Sequence, residues 1–135
     1  MIIEKVLPKS VIIHIDRFSL SPYLQLEAVQ EFKELCLSSG TKVCAEVLGK
    51  IDRPSSNFYV KQGKLDEIKQ LVQSNKANLV IFNNDLTPSQ QRNLEEYLCA
   101  RVLDRTSLIL DIFATRASSH IGKLQVELAL SLIHI

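Results

Sequence analysis

Apolar and polar positions along this chain switch repeatedly between two periods. Val11 to Ile15 is a nearly continuous β-branched run broken only by His14, the pattern of a strand covered on both faces. Ser21-Pro22 then predicts a helix start: the serine caps free amides, and proline fits the first turn, where its missing N–H has no helical partner. Leu24, Ala28, Phe32, Leu35 and Cys36 share one helical face, and Gly40 suits the left-handed residue that ends such a helix. Lys42 to Ile51 predicts a second strand with Val43, Ala45 and Val47 on one face. Asp52 to Asn57 is a loop by turn chemistry, and Phe58-Tyr59-Val60 a short extended piece.

The alternation continues. Gly63 precedes a helix with Leu65, Ile68 and Val72 inward, and Asn78 to Phe82 is a third, wholly apolar strand. Thr87, Pro88 and Gln90 form a capping-box start for a helix buried through Leu94 and Leu98. Arg101 to Asp104 predicts a fourth strand, and Thr106 is the expected cap of a helix facing inward through Leu108, Ile109, Ile112 and Phe113. After a break at Ser118-Ser119, a last helix is expected from about Gly122, with Val126, Leu128, Ala129, Leu132 and Ile133 leaving it broadly apolar. It meets the chain end without a stop signal, as a piece of a longer protein would. Together these elements predict an α/β fold: a mainly parallel four-stranded sheet flanked by helices over residues 1–117, followed over 118–135 by the start of a long C-terminal helix, the truncated beginning of a helical hairpin segment.

Composition narrows the function classes. The 135 residues are 46% hydrophobic and 23% charged, ordinary for one globular domain. The formal net charge is +1, so any nucleic-acid surface must come from clustering of charges rather than from their sum. Cys36, Cys44 and Cys99 are an odd set without C-x-x-C spacing, which argues against a disulfide framework or a zinc site and for a reducing compartment. All three lie in apolar runs, where free cysteine packs as a small hydrophobe. The first ten residues lack a signal-peptide core, and no apolar run reaches the roughly 18 residues of a spanning helix. A soluble, cytoplasmic chain with no membrane partner is the expectation.

Three constellations carry possible chemistry. Gly63-Lys64 at a helix start resembles half of a phosphate site, since a helix N-terminus offers free amides. A P-loop needs G-x-x-x-x-G-K-[ST]; only one glycine is present and Leu65 holds the Ser/Thr position, so a turn glycine with a surface lysine accounts for the pair as well. Asn83, Asn84 and Asp85 follow the third strand, where open α/β sheets bind ligands, yet the same residues suit a turn before a capped helix. Asp104 and Asp111 have no nearby nucleophile or histidine, the three histidines show no metal spacing, and no catalytic or metal-ligating residue is expected. A histidine in a strand, as at position 14, is more often a satisfied core or edge residue than a ligand. Arg92, Arg101, Arg105, Arg116, His120 and Lys123 concentrate in the last third. They fit either phosphate contacts, which position a protein without reading sequence, or a solvated inter-helix loop.

The segments Leu86-Thr87-Pro88-Ser89-Gln90, Arg92-Asn93-Leu94-Glu95, Val102-Leu103-Asp104-Arg105-Thr106, Leu108 to Ala114, Arg116-Ala117 and Gly122 to Ala129 resemble, in order, the HflX family of ribosome-associated GTPases. That resemblance implies a parallel α/β N-domain, a long helical hairpin and a separate GTPase domain. It implies binding to the large ribosomal subunit through ribosomal RNA, with Arg92, Arg105, Arg116, His120 and Lys123 as the contact residues. Its own GTPase domain is the other partner implied. GTP and magnesium belong to that domain, which these 135 residues do not contain, so the chain itself is expected to need no cofactor and to be no enzyme. The family tends to G-x-G-K where this chain has Lys61-Gln62-Gly63-Lys64, which weakens a nucleotide role at that turn. A small nucleotide-binding domain using Gly63 and Lys64, or a scaffold that holds the GTPase domain, are the competing readings.

Overall fold

The computed structural model of the chain describes residues 7–115. Four parallel strands, β1 (Lys9–Asp16), β2 (Lys42–Lys50), β3 (Leu79–Phe82) and β4 (Arg101–Leu103), form one sheet in the order β2-β1-β3-β4. Helices α1 (Pro22–Ser38), α2 (Gln62–Ser74) and α3 (Pro88–Leu98) connect them, and residues 105–115 form a further helix, α4. The expected α/β sheet is therefore present, and every strand pair in it is parallel. The boundary expected after residue 117, the last helix, and Arg116, His120 and Lys123 lie outside the described residues.

Strand order dictates the layers. The path runs from β1 to one neighbour, then crosses back over β1 to β3 and on to β4. With right-handed crossovers, one reversal of direction puts α1 on one face and α2 and α3 on the other. The core divides accordingly. Val11, Ile13, Ile15, Val80, Phe82 and Val102 meet Leu65, Ile68, Val72, Leu94 and Leu98 of α2 and α3. Ile12, Leu79, Ile81 and Leu103 meet Phe32 and Cys36 of α1 and Leu108 and Ile112 of α4. With both faces covered, the central strands must be apolar at every position, and β3 is buried throughout.

Several local expectations hold. Ser21 accepts from the Leu24 amide, Pro22 opens α1, and Gly40 follows it at φ +85°. At α3 both arms of the capping box form: Thr87 Oγ1 accepts from the Gln90 amide at 3.1 Å, and Gln90 Oε1 from the Thr87 amide at 2.8 Å.

Five others are corrected. Val43 does not share a face with Ala45 and Val47. The β1–β2 register pairs Ser10 with Val43 but Val11 with Ala45, so Cys44 is an extra residue, and this bulge turns Val43 toward α1 while Ala45 and Val47 face α2. The cap of α4 is Asp104, whose Oδ1 accepts from the Ser107 amide at 2.8 Å, while the Thr106 hydroxyl donates to Asp85 Oδ1. Of the apolar face expected on α4, Leu108 and Ile112 are buried, but Ile109 and Phe113 are exposed, because only one narrow stripe of this helix reaches the sheet. Leu24 of α1 is likewise exposed, and so is Cys99, which takes a left-handed conformation at the end of α3.

Candidate functional site at the carboxyl edge of the sheet

In open α/β sheets the crevice for ligands opens beyond the strand carboxyl ends where the strand order reverses, here between β1 and β3. The chain fills that crevice itself. β3 ends at Phe82 while β1 continues to Asp16, so the Ile15 peptide has no strand neighbour on that side. The Asn84 side chain replaces it: its Oδ1 accepts from Ile15 N at 3.2 Å, and its Nδ2 donates to Ile15 O at 2.9 Å. One amide thus satisfies two main-chain groups that would otherwise be orphaned.

Beside it lies a polar chain on the α1 face. Asn83 Nδ2 is 2.8 Å from His14 Nδ1, and Arg105 Nη1 donates to Asn83 Oδ1 at 3.3 Å. Arginine can only donate, so it fixes the Asn83 amide with its oxygen toward Arg105 and its nitrogen toward His14. His14 Nδ1 is then the acceptor, and the neutral ring carries its proton on Nε2. Burial holds the His14 pKa below its ordinary value, with Asp16 opposing and Arg105 adding to the effect. Asp16 accepts from the amides of Phe18 and Leu20 and from Gln25 Nε2, which fixes the loop into α1. Tyr59 is buried edge-on to Phe82, and that burial pushes its hydroxyl pKa up against the pull of Arg17 and Asn84.

The edge bears two depressions. One, of about 370 Å³, lies between the start of α1 and the end of β2 and is lined by His14, Pro22, Gln25, Leu26, Val29 and Leu48. The other, of about 350 Å³, lies on the α2 side and is lined by Ile15, Ile51, Val60, Lys50, Lys61 and Lys64.

Gly63 sits in the first turn of α2, where a Cβ would meet nothing within 4 Å and no left-handed backbone is required. Lys64 Nζ contacts Leu48 O at 3.0 Å and Glu67 Oε2 at 2.9 Å. Arg92 is exposed in α3, and Arg105 opens α4 at the carboxyl edge. The fold brings Arg105 and Lys64 to the same edge and adds cations that sequence reasoning did not single out: Arg17 after β1, Lys50 closing β2, Arg53 in the next loop and Lys61 before α2. Scattered in sequence, they share only the property of following a parallel strand, and that was the signal available. Asp104 and Asp111 have separate structural roles, one as the α4 cap and one 3.7 Å from Arg101. Among the described residues no His, Cys, Asp and Glu cluster could hold a metal ion, and no helix is long and apolar enough to cross a membrane.

A family model described as GTP-binding GTPase N-terminal matches residues 26–114. The chain is 46% identical over 104 residues to GTPase HflX of Escherichia coli K12, covering 77% of this chain and 24% of that protein. Against GTPase HflX of Thermococcus kodakarensis it is 47% identical over 99 residues, 73% of this chain and 22% of that one. It thus spans about a quarter of the length of the curated relatives it matches. Among solved structures it superposes on SsGBP in complex with GDP with a TM-score of 0.63 at 27% identity, covering 90% of this chain and 33% of that chain. A GTP-binding protein from Sulfolobus solfataricus in complex with GDP, at 22% identity, TM-score 0.58 and 78% and 30% coverage, shares the fold.

Proposed function

This chain belongs to the HflX family, whose N-terminal domain it represents, and on that premise we propose that it docks the protein on the large ribosomal subunit through ribosomal RNA. The observation that carries the reading is the match to that domain across residues 26–114. Arg92, Arg105, Arg116, His120 and Lys123 are assigned the phosphate contacts, and the cations at the carboxyl edge extend that surface. The activity of the whole protein is GTP hydrolysis with magnesium, in the cytoplasm, by a domain that these residues do not form. The 135 residues contain no G-x-x-x-x-G-K-[ST], and on this reading hydrolysis by the family mechanism belongs to that other domain.

Phosphate contacts release counterions, so binding must weaken steeply with salt. Association of the chain with purified large subunits is expected to fall at least tenfold between about 50 and 200 mM salt. An Arg116→Ala/Lys123→Ala double variant is expected to bind more weakly with a shallower salt dependence. Equal, salt-independent association of both proteins overturns the assignment.

A second reading is favoured by the depression carrying Lys50, Lys61 and Lys64, a concentration of cations at the start of α2: a small nucleotide-binding domain at the Gly63-Lys64 turn. Calorimetric titration with ATP and GTP separates the two, since only this reading gives micromolar binding that Lys64→Ala abolishes.

A further inference from the structure

The two edges of the sheet are finished differently. At β4 the Arg101 amide bonds to Asn78 O on the β3 side, so Val102 presents its main-chain groups outward, and α3 takes both. Glu95 Oε2 accepts from Val102 N at 3.3 Å, and Gln91 Nε2 donates to Val102 O at 2.7 Å. An edge covered in this way is no template for another strand. β2, the longest strand, is the other edge. The Ile51 amide donates to Asp16 O, so along the regular ladder Val47 and Gly49 also bond to β1, and Glu46, Leu48 and Lys50 present their main-chain groups outward. Among the described residues only one of those outward groups has a partner: Leu48 O accepts from Lys64 Nζ at 3.0 Å, and a carbonyl oxygen keeps a second lone pair.

Beside that open edge the surface is apolar at one end. Leu48 is 57% exposed and Leu26 of α1 is 71% exposed, and with Pro22 and Val29 they line the depression between α1 and β2. Tyr23, three residues before Leu26, is exposed as well. Grouped apolar side chains of this size mark interaction surfaces. At the other end the two elements meet through an ion pair, Lys33 Nζ to Glu46 Oε1 at 2.9 Å. We propose that β2 pairs with β2 of a second copy of this chain, antiparallel about a two-fold axis at Leu48, so that the two sheets become one. A two-fold axis normal to a sheet pairs a strand with itself in the antiparallel sense. Charge selects where that axis falls. Centred on Glu46, two glutamates meet and Lys50 meets Lys42; centred on Lys50, two lysines meet. Centred on Leu48, each Glu46 faces the partner's Lys50, the leucines meet at the axis, and every pair exchanges two main-chain bonds. Directly opposed side chains share a face, so the partner's Leu48 lies on the α1 side, where the apolar halves of both α1 helices flank the axis. The pairing engages Lys50 but does not rest on the ribosomal reading.

Sedimentation velocity of the whole chain tests the pairing. A monomer–dimer equilibrium is expected with a dissociation constant of about 100 µM or lower, the weak range that suits a small interface. The backbone amides of Glu46, Leu48 and Lys50 are expected to shift with protein concentration. Glu46→Lys and Lys50→Glu each set like charges against each other at both ends of the pairing, and each is expected to weaken the dimer at least tenfold. The double variant Glu46→Lys/Lys50→Glu restores opposite charges and is expected to return to within threefold of the natural chain. Glu46→Lys also breaks the pair with Lys33, so circular dichroism melts check that each variant folds. Leu48→Lys, at an exposed position outside that pair, is expected to weaken the dimer at least tenfold on its own. A chain that stays monomeric at roughly 1 mM, single variants that dimerise as the natural chain does, a double variant no better than the singles, or a dimer indifferent to Leu48→Lys overturns the proposal.

Discussion

At the scale of single residues, polar side chains at the carboxyl edge act as substitutes for missing backbone. Asn84 stands in for a strand residue that β3 does not supply, with contacts at 3.2 and 2.9 Å to the Ile15 peptide. Removing it strands a donor and an acceptor together, so Asn84→Ala is expected to cost about 1–3 kcal/mol, measured as a lower urea midpoint at unchanged slope. His14 makes a different demand. Its folded-state pKa is held down, first by burial, so the folded chain resists a proton that the unfolded chain accepts near the ordinary value of 6.5. Protons therefore favour unfolding. The contribution is intact above about pH 6.5 and is lost as the pH falls through the folded value. The melting temperature is expected to drop between pH 7.5 and 5.5, and His14→Gln, which does not titrate, is expected to flatten that part of the profile. An unchanged profile in the variant would assign the acid sensitivity to other groups.

At the scale of elements, stability divides between ends that are capped and ends that are not. Helix α3 starts on a full capping box, whereas α2 starts at Lys61 with no side-chain cap and carries Gly63 in its first turn. Thr87→Ala is expected to lose about 1 kcal/mol. Gly63→Ala is expected to gain roughly 0.4–1 kcal/mol, because the glycine is neither left-handed nor crowded and alanine restricts only the unfolded chain. Thermal melts should move in opposite directions by about 2–6 °C for the two variants. A loss of stability in Gly63→Ala would mean that something approaches that turn closely in the folded protein. The same elements mark how far the sequence was legible. Caps at Ser21 and Thr87 were readable because they depend on residues three apart, and the buried runs in β1 and β3 because both sheet faces are covered. The bulge at Cys44 was not readable, because the register of β2 is set by β1, more than 30 residues away. Nor was the cap of α4: Asp104 and Thr106 are both good caps, and the choice between them depends on Asp85, which takes up the Thr106 hydroxyl from another loop. The His14–Asn83–Arg105 chain joins three segments that only the strand order brings together.

At the scale of the whole molecule, net charge and useful charge separate. A formal charge of +1 gives no overall field to attract a polyanion, so the docking on RNA proposed above would depend on where the cations are gathered. A parallel sheet gathers them in two places, because every strand begins at one edge and ends at the other. Arg17, Lys50, Arg53, Lys61 and Arg105 come to the carboxyl edge, while Lys9 and Lys42 mark the opposite one. If the carboxyl edge faces the ribosome, each lost phosphate contact should lower the slope of log binding against log salt by about 0.7–0.9. Arg17→Ala/Arg53→Ala is then expected to reduce that slope by roughly 1.5 for binding to large subunits. Lys9→Ala/Lys42→Ala changes net charge by the same amount at the far edge and should leave the slope as it was. The two double variants thus match in charge and differ only in geometry. Equal losses would mean that the ribosome responds to overall charge alone, and a larger loss from the lysine pair would turn the domain over and place its amino edge on the RNA.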